Sequence, residues 1–160
     1  MKAPTIRKAQ PADVDEIHCL LMELAAYEKI DHLVESNANS TRRALFGETP
    51  SAEALVAEIG ESLIATAIYF HNYSTFMGRQ GLYLEDIYVK PDFRGQGVGK
   101  NLLIELAAIA SARGCVRMEW TVLDWNTRAI DFYRKIGAEL LPDWRLVRLS
   151  GNEIETLANQ

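Results

Sequence analysis

The run Arg94-Gly95-Gln96-Gly97-Val98-Gly99-Lys100 lies between an apolar, strand-like stretch and a long amphipathic segment. Glycines where a strand hands over to a helix let backbone N–H groups approach a ligand, because no Cβ intervenes. The helix that follows adds unsatisfied N–H groups and the positive end of its dipole, and Arg94 and Lys100 add fixed charge. That is the chemistry of a diphosphate seat; the plain alternative is a glycine-rich helix start that holds nothing. Spacing narrows the ligand. A nucleotide-hydrolysing P-loop needs G-x-x-x-x-G-K-[ST]. Here Asn101 follows Lys100 where a hydroxyl would hold magnesium, and Arg94 takes the place of the first glycine. A dinucleotide fingerprint needs G-x-G-x-x-G near the start of a βαβ unit. Gly95, Gly97 and Gly99 are instead spaced G-x-G-x-G, past the middle of the chain. The pattern that fits is Arg-x-x-Gly-x-Gly.

Glu85 and Asp86 are adjacent carboxylates in the apolar run from Leu82 to Val89. Neighbours on a regular strand point to opposite faces, so one of the two would meet a covered side. An uncompensated buried charge does not persist. This leaves a bulged strand, a carboxylate with a purpose, or an edge strand with both groups solvated. A carboxylate beside an apolar cleft has its pKa raised, which suits a general base for an ammonium substrate. Tyr133 shares a helical face with Ile130 and Gly137. A phenol there could protonate a departing thiolate, or simply hold its hydroxyl at the surface. Asn126, after Trp125, reads as a helix N-cap. His18, His32 and His71 share no ligand spacing, and Cys19 and Cys115 stand far apart. Neither a metal site nor a covalent nucleophile is expected.

These groups need a scaffold, and the patterning predicts a compact α/β one. Strands are expected over Ile6–Ala9, Ala54–Ile59, Ser62–Phe70, Leu82–Val89, Val116–Leu123 and Arg145–Leu149. Helices are expected from Pro11 to Tyr27, from a cap at Ser40 or Thr41 to Gly47, from the glycine loop to Arg113, over Asn126–Ile136, and over Asn152–Ala158. The stretch from Glu28 to Asn39 is polar and irregular, and Asn72 to Gly81 reads as a loop. At 160 residues with 48% hydrophobic content, one globular domain over residues 1–160 is expected. The chain has no run of about 18 apolar residues to span a membrane. Its start lacks a signal-peptide core, and two distant cysteines suit a reducing, cytoplasmic setting. The net charge of −5 disfavours nucleic acid and is compatible with a cationic substrate.

Taken together, three segments resemble the GCN5-related N-acetyltransferase (GNAT) superfamily in order and spacing. They are Tyr83-Leu84-Glu85-Asp86-Ile87-Tyr88-Val89, Phe93-Arg94-Gly95-Gln96-Gly97-Val98-Gly99, and the stretch from Trp125-Asn126 to Phe132-Tyr133-Arg134-Lys135-Ile136-Gly137-Ala138. The match is nearest the spermidine/spermine and thialysine acetyltransferase branch. It extends to Glu23-Leu24-Ala25-Ala26-Tyr27-Glu28 and Trp144-Arg145-Leu146, so it covers nearly the whole chain. The resemblance implies an α+β fold: a mixed, twisted, mostly antiparallel sheet of about seven strands flanked by helices and splayed at an acyl-CoA site. It implies acetyl transfer from acetyl-CoA to a primary amine of a small cationic acceptor, without metal, in a homodimer that often exchanges a C-terminal strand. Protein lysines or N-termini, or a non-catalytic acyl-CoA-binding module, are the alternatives. Matched by position, Tyr88 and Val89 would offer main-chain groups to the pantetheine arm and the thioester carbonyl, with Ile87 also at the cofactor. Arg94, Gly95, Gln96, Gly97, Val98, Gly99 and Lys100 would hold the pyrophosphate, and Asn126 and Lys135 would touch the cofactor. Glu85 would accept the amine's proton and Tyr133 would protonate coenzyme A. Asp86, Glu28, Glu35 and Trp144 would surround the acceptor. One stretch departs from the polyamine enzymes. Their Tyr-Asp-Pro-Trp pattern is replaced here by Tyr73-Ser74-Thr75-Phe76, which makes a thialysine-like amino acid or short diamine as plausible as a polyamine.

Overall fold

The protein is described by a computed structural model over residues 3–160; Met1 and Lys2 lie outside the described residues. Two compact units divide the chain, one ending at Thr121 and the other spanning Val122–Gln160.

The first unit is built on a five-stranded sheet in the order β1 (Thr5–Lys8), β2 (Glu53–Ile59), β3 (Ser62–Ser74), β4 (Arg79–Val89), β5 (Met118–Glu119). Strands β1 to β4 pair antiparallel, and β4 pairs parallel with β5. The parallel step needs a crossover, which helix α3 (Val98–Ala112) supplies. Consecutive residues Ala54–Ala57 and Leu63–Tyr69 are buried, so both faces of the central strands are covered. Helix α1 (Val14–Tyr27) sets Ile17, Leu20 and Leu24 against Val56, Ile68 and Tyr88. Helix α3 packs on β2, β3 and β4 with a separate stripe of Val98, Leu102, Leu103, Leu106 and Ala110.

Several expectations are corrected by pairing that sequence windows do not contain. Among the described residues the sheet has five strands instead of about seven. Of the stretch Val116–Leu123 only Met118 and Glu119 join the sheet, because β4 bulges away just beyond their partners. Arg145–Leu149 joins no ladder among the described residues. The expected loop Asn72–Gly81 shrinks to a hairpin connection, since β3 and β4 stay paired out to Ser74 and Arg79. Helix α2 (Ala38–Phe46) is capped by Asn37 rather than Ser40 or Thr41. The Ser40 N–H donates to Asn37 Oδ1 at 3.0 Å, and the Asn37 N–H donates to Ser40 Oγ at 2.8 Å. This reciprocal pair satisfies a free amide of the first turn, which a cap three residues later would leave open.

The second unit holds α4 (Thr127–Lys135) and α5 (Asn152–Ala158), joined by irregular chain. Asn126 caps α4 as expected, its side chain accepting from the Ala129 N–H at 3.3 Å. No helix of the described residues is long and apolar enough to cross a membrane.

Candidate active site

The site is founded on an irregularity in β4. The Leu82 N–H donates to the Arg117 carbonyl, on the β5 side, at 3.0 Å, and the Lys90 N–H donates to Ile64 of β3's leading edge at 2.9 Å. Residues an even number apart on a regular strand direct their amides to the same side. Here the register slips: Tyr69 pairs with Leu84, Ile68 with Asp86, and Glu85 is the extra residue. One inserted residue reverses the alternation. From Asp86 onward, Asp86 and Tyr88 therefore bond towards β3, while Ile87 and Val89 turn their main-chain groups to the β5 side. The β4–β5 ladder has already ended at Tyr83 and Glu119. The edge of β4 at Ile87 and Val89 is thus outside any ladder among the described residues, and it is a template for an amide-bearing ligand. The Val89 carbonyl is met by Arg94 Nε at 2.8 Å.

The glycine loop continues from this edge. Gly95 and Gly97 adopt φ of +78° and +85°, left-handed conformations that favour glycine. A Cβ built at either would meet nothing within 4 Å, so the space over both residues is open. Helix α3 starts at Val98 with Gly97 as an N-cap that has no side chain to offer. The amides of its first turn are left to an external acceptor, which satisfies the requirements of a diphosphate seat. Lys100 is exposed in that turn, while the Val98 side chain is core. The Gln96 side chain donates to the Asp92 carbonyl at 2.8 Å and so braces the loop itself. Arg94 is half-buried, its guanidinium carbon 4.8 Å from the Tyr27 ring centroid and 5.3 Å from that of Tyr88.

The carboxylates divide differently from the sequence expectation. Glu85 is exposed, whereas Asp86 is half-buried and lines a cleft of about 160 Å³. The cleft walls are Leu21, Met22, Leu24 and Ala25 of α1 together with Ile30, Val34 and Ser36 beyond it, with Glu28 at the helix end. Burial raises the Asp86 pKa to about 6, helped by the charges of Glu85 and Glu28. Burial also raises that of Glu28. The half-buried setting that raises a carboxyl pKa is thus at Asp86, with exposed Glu85 beside it. Two acidic groups and Ser36 face a cleft whose other walls are apolar and which no basic side chain lines, an arrangement suited to a cation with a methylene arm. Glu35 is not among the walls: Val34 and Ser36 line the cleft, and the residue between them is exposed. The apolar walls escaped the sequence reading because the stretch after α1 carries no periodicity. Tyr27 was within reach of it, since it belongs to the Glu23–Glu28 segment that marks the family.

The remaining candidates lie in the second unit. Tyr133 is buried on α4, 8% exposed, with its ring 5.5 Å from that of Phe132. Lys135 is exposed in the last turn of α4, and Trp144 is exposed on the irregular chain. Among the described residues no group of three or more His, Cys, Asp and Glu is placed to hold a metal ion.

A bulged strand that opens its edge just before a glycine loop and a helix N-terminus, with an acidic cleft alongside, defines a class: transferases that draw an acyl group from a nucleotide thioester. The chain belongs to the acetyltransferase (GNAT) family, whose sequence model matches residues 16–138, and it is an acetyltransferase. It is 40% identical to thialysine N-epsilon-acetyltransferase of Bos taurus, over 97% of either chain. It is 29% identical to L-ornithine N5-acetyltransferase of Arabidopsis thaliana, over 95% of this chain and 86% of that one. The integron cassette protein from the mobile metagenome of V. cholerae superposes with a TM-score of 0.82 at 25% identity, over the full length of both chains. Members of the family use acetyl-CoA.

Proposed function

We propose that this chain transfers the acetyl group of acetyl-CoA to a primary amine of a small cationic acceptor: a short diamine, a polyamine or a thialysine-like amino acid. The observation that carries this reading is the pairing of Glu28 and Asp86 in an apolar cleft on the strand that ends in the glycine loop. Two relatives named for acting on the side-chain amine of a small amino acid support the same acceptor class.

Acetyl-CoA supplies an activated thioester. The residues do the rest. First-turn amides over Gly97–Lys100, with Arg94, Gly95 and Lys100, hold the diphosphate, and Gln96 and Val98 keep the loop in shape. Ile87 and Val89 would offer main-chain groups to the pantetheine amides, and an N–H on this edge would stabilise negative charge on a thioester oxygen. Tyr88 contributes through its side chain, since its own amide belongs to the β3 side. The acceptor arrives as an ammonium, and Glu28 and Asp86 neutralise it. Asp86, ionised above about pH 6, takes its proton, and Glu85 keeps the Asp86 pKa high. Tyr133 would protonate the departing thiolate, Asn126 and Lys135 would touch the cofactor, and Trp144 would meet the acceptor.

A single domain over residues 1–160 is part of this reading, and the family model, which runs from the first unit into the second as far as residue 138, supports it. A homodimer is part of this reading. The exposed apolar side chains Leu141, Leu146, Val147 and Leu149 on the C-terminal stretch support it. Its setting is cytoplasmic, with neither nucleic acid nor membrane as partner. The test is thiol release from acetyl-CoA with 1,4-diaminobutane, spermidine, thialysine, ornithine and a lysine-containing peptide. Turnover on the small amines, at least about tenfold above the peptide in kcat/KM, is expected. Turnover on the peptide alone, or on nothing, overturns the reading.

A further inference from the structure

The cofactor loop and the acceptor helix are joined by contacts that acetyl transfer does not itself require. The Arg94 cation lies over the faces of both Tyr27 and Tyr88, at 4.8 and 5.3 Å, while its Nε–H donates to the Val89 carbonyl. The Tyr88 hydroxyl donates to Glu23 Oε2 at 3.0 Å. Glu23 and Tyr27 sit four residues apart on α1, so they share one face of its last turns. A guanidinium over two rings in a half-buried place is the kind of contact that ties two elements together.

The element at the other end of this tie is weak by construction. Helix α1 closes with the Lys29 N–H bonded to the Ala26 carbonyl and the Ile30 N–H bonded to the Ala25 carbonyl. That closure demands a left-handed residue, commonly glycine, but Lys29 fills it at φ +61°. A left-handed lysine strains this turn, so contacts from outside it add to its stability. Glu28 and Ile30, which flank Lys29, are both cleft walls.

We propose that Tyr27 is a positioning residue: it fixes Arg94 for the diphosphate loop, and occupation of that loop in turn orders the end of α1 and sets Glu28 in the acceptor cleft. The inference rests on the acetyl-CoA reading above. Coupling of this kind is reciprocal, so an ordered α1 end also favours the cofactor.

Hydrogen exchange of the Glu28, Lys29 and Ile30 amides, with coenzyme A alone as probe, tests it. Coenzyme A should slow exchange at these three amides by about tenfold in the wild-type protein. Tyr27→Leu should reduce that protection to less than about twofold and weaken coenzyme A binding by about three- to tenfold. Tyr27→Phe, which keeps the ring under Arg94, should restore both, which a general loss of stability would not. Failure of the wild type to bind coenzyme A would remove the acetyl-CoA reading and this inference together. Binding without protection at Glu28–Ile30, or full protection in Tyr27→Leu, would overturn the inference alone.

Discussion

The amides of Leu82, within β4, and Lys90, just past its end, lie eight residues apart and bond to opposite sides of the strand. Glu85, the unpaired residue between them, accounts for the reversal. The bulge, more than the glutamate's charge, is then what frees Ile87 and Val89 for a ligand. Deleting Glu85 should restore a regular alternation and turn those groups onto β3. Losing two hydrogen bonds at about 1 kcal/mol each corresponds to about thirtyfold weaker binding. Glu85→Gln, which keeps the extra residue, should hold coenzyme A affinity within about twofold. Calorimetric titration of both variants, with circular dichroism to verify folding, separates length from charge.

The acid limb of kcat/KM should fall at the Asp86 pKa of about 6. Asp86→Asn should remove that limb and lower turnover by about 10²- to 10⁴-fold, the usual loss with a general base. Glu85→Gln takes away a negative neighbour that holds the Asp86 pKa up, so its limb should move to lower pH. A pH profile of the three proteins decides which carboxylate titrates with the reaction.

Asp86 also bears on stability, and the direction is fixed by its raised pKa. The proton is held more tightly in the fold than in the unfolded chain, whose value is 3.8. The stability it contributes is complete below about pH 4 and lost as pH rises through about 6. Asp86→Asn should therefore raise Tm at pH 7.5 by about 2–5 °C and have little effect at pH 4. Thermal melts at the two pH values measure this; an equal shift at both would mean the carboxylate's charge is not the cause.

Tyr133→Phe retains the ring against Phe132 and removes only the hydroxyl. Turnover should fall by about 10²-fold while the dissociation constant of coenzyme A changes less than about threefold. The opposite split would make Tyr133 a binding residue.

Much of this was legible in the residues. Adjacent Glu85 and Asp86 in an apolar run conflict with a regular strand, and that conflict is the bulge. The glycine spacing specified its loop because left-handed turns leave few choices of residue. What stayed hidden is non-local. Whether Val116–Leu123 pairs fully depends on where β4 turns away, and no local window holds that information. Asn37, Ser40 and Thr41 are all good caps, and only the reciprocal bonds of Asn37 with Ser40 choose among them. Which carboxylate faces a cleft depends on walls from α1 and the irregular stretch after it, and the stacking of Arg94 on Tyr27 joins residues 67 positions apart.

The central claim is that the edge of β4 at Ile87 and Val89 and the loop Arg94–Lys100 hold one molecule of coenzyme A. A crystal structure of the protein with coenzyme A tests it most directly. The account predicts the diphosphate on the amides of the first turn of α3 and the pantetheine amides paired with Ile87 and Val89. Coenzyme A bound elsewhere, or a protein that takes none up at millimolar concentration, would contradict it.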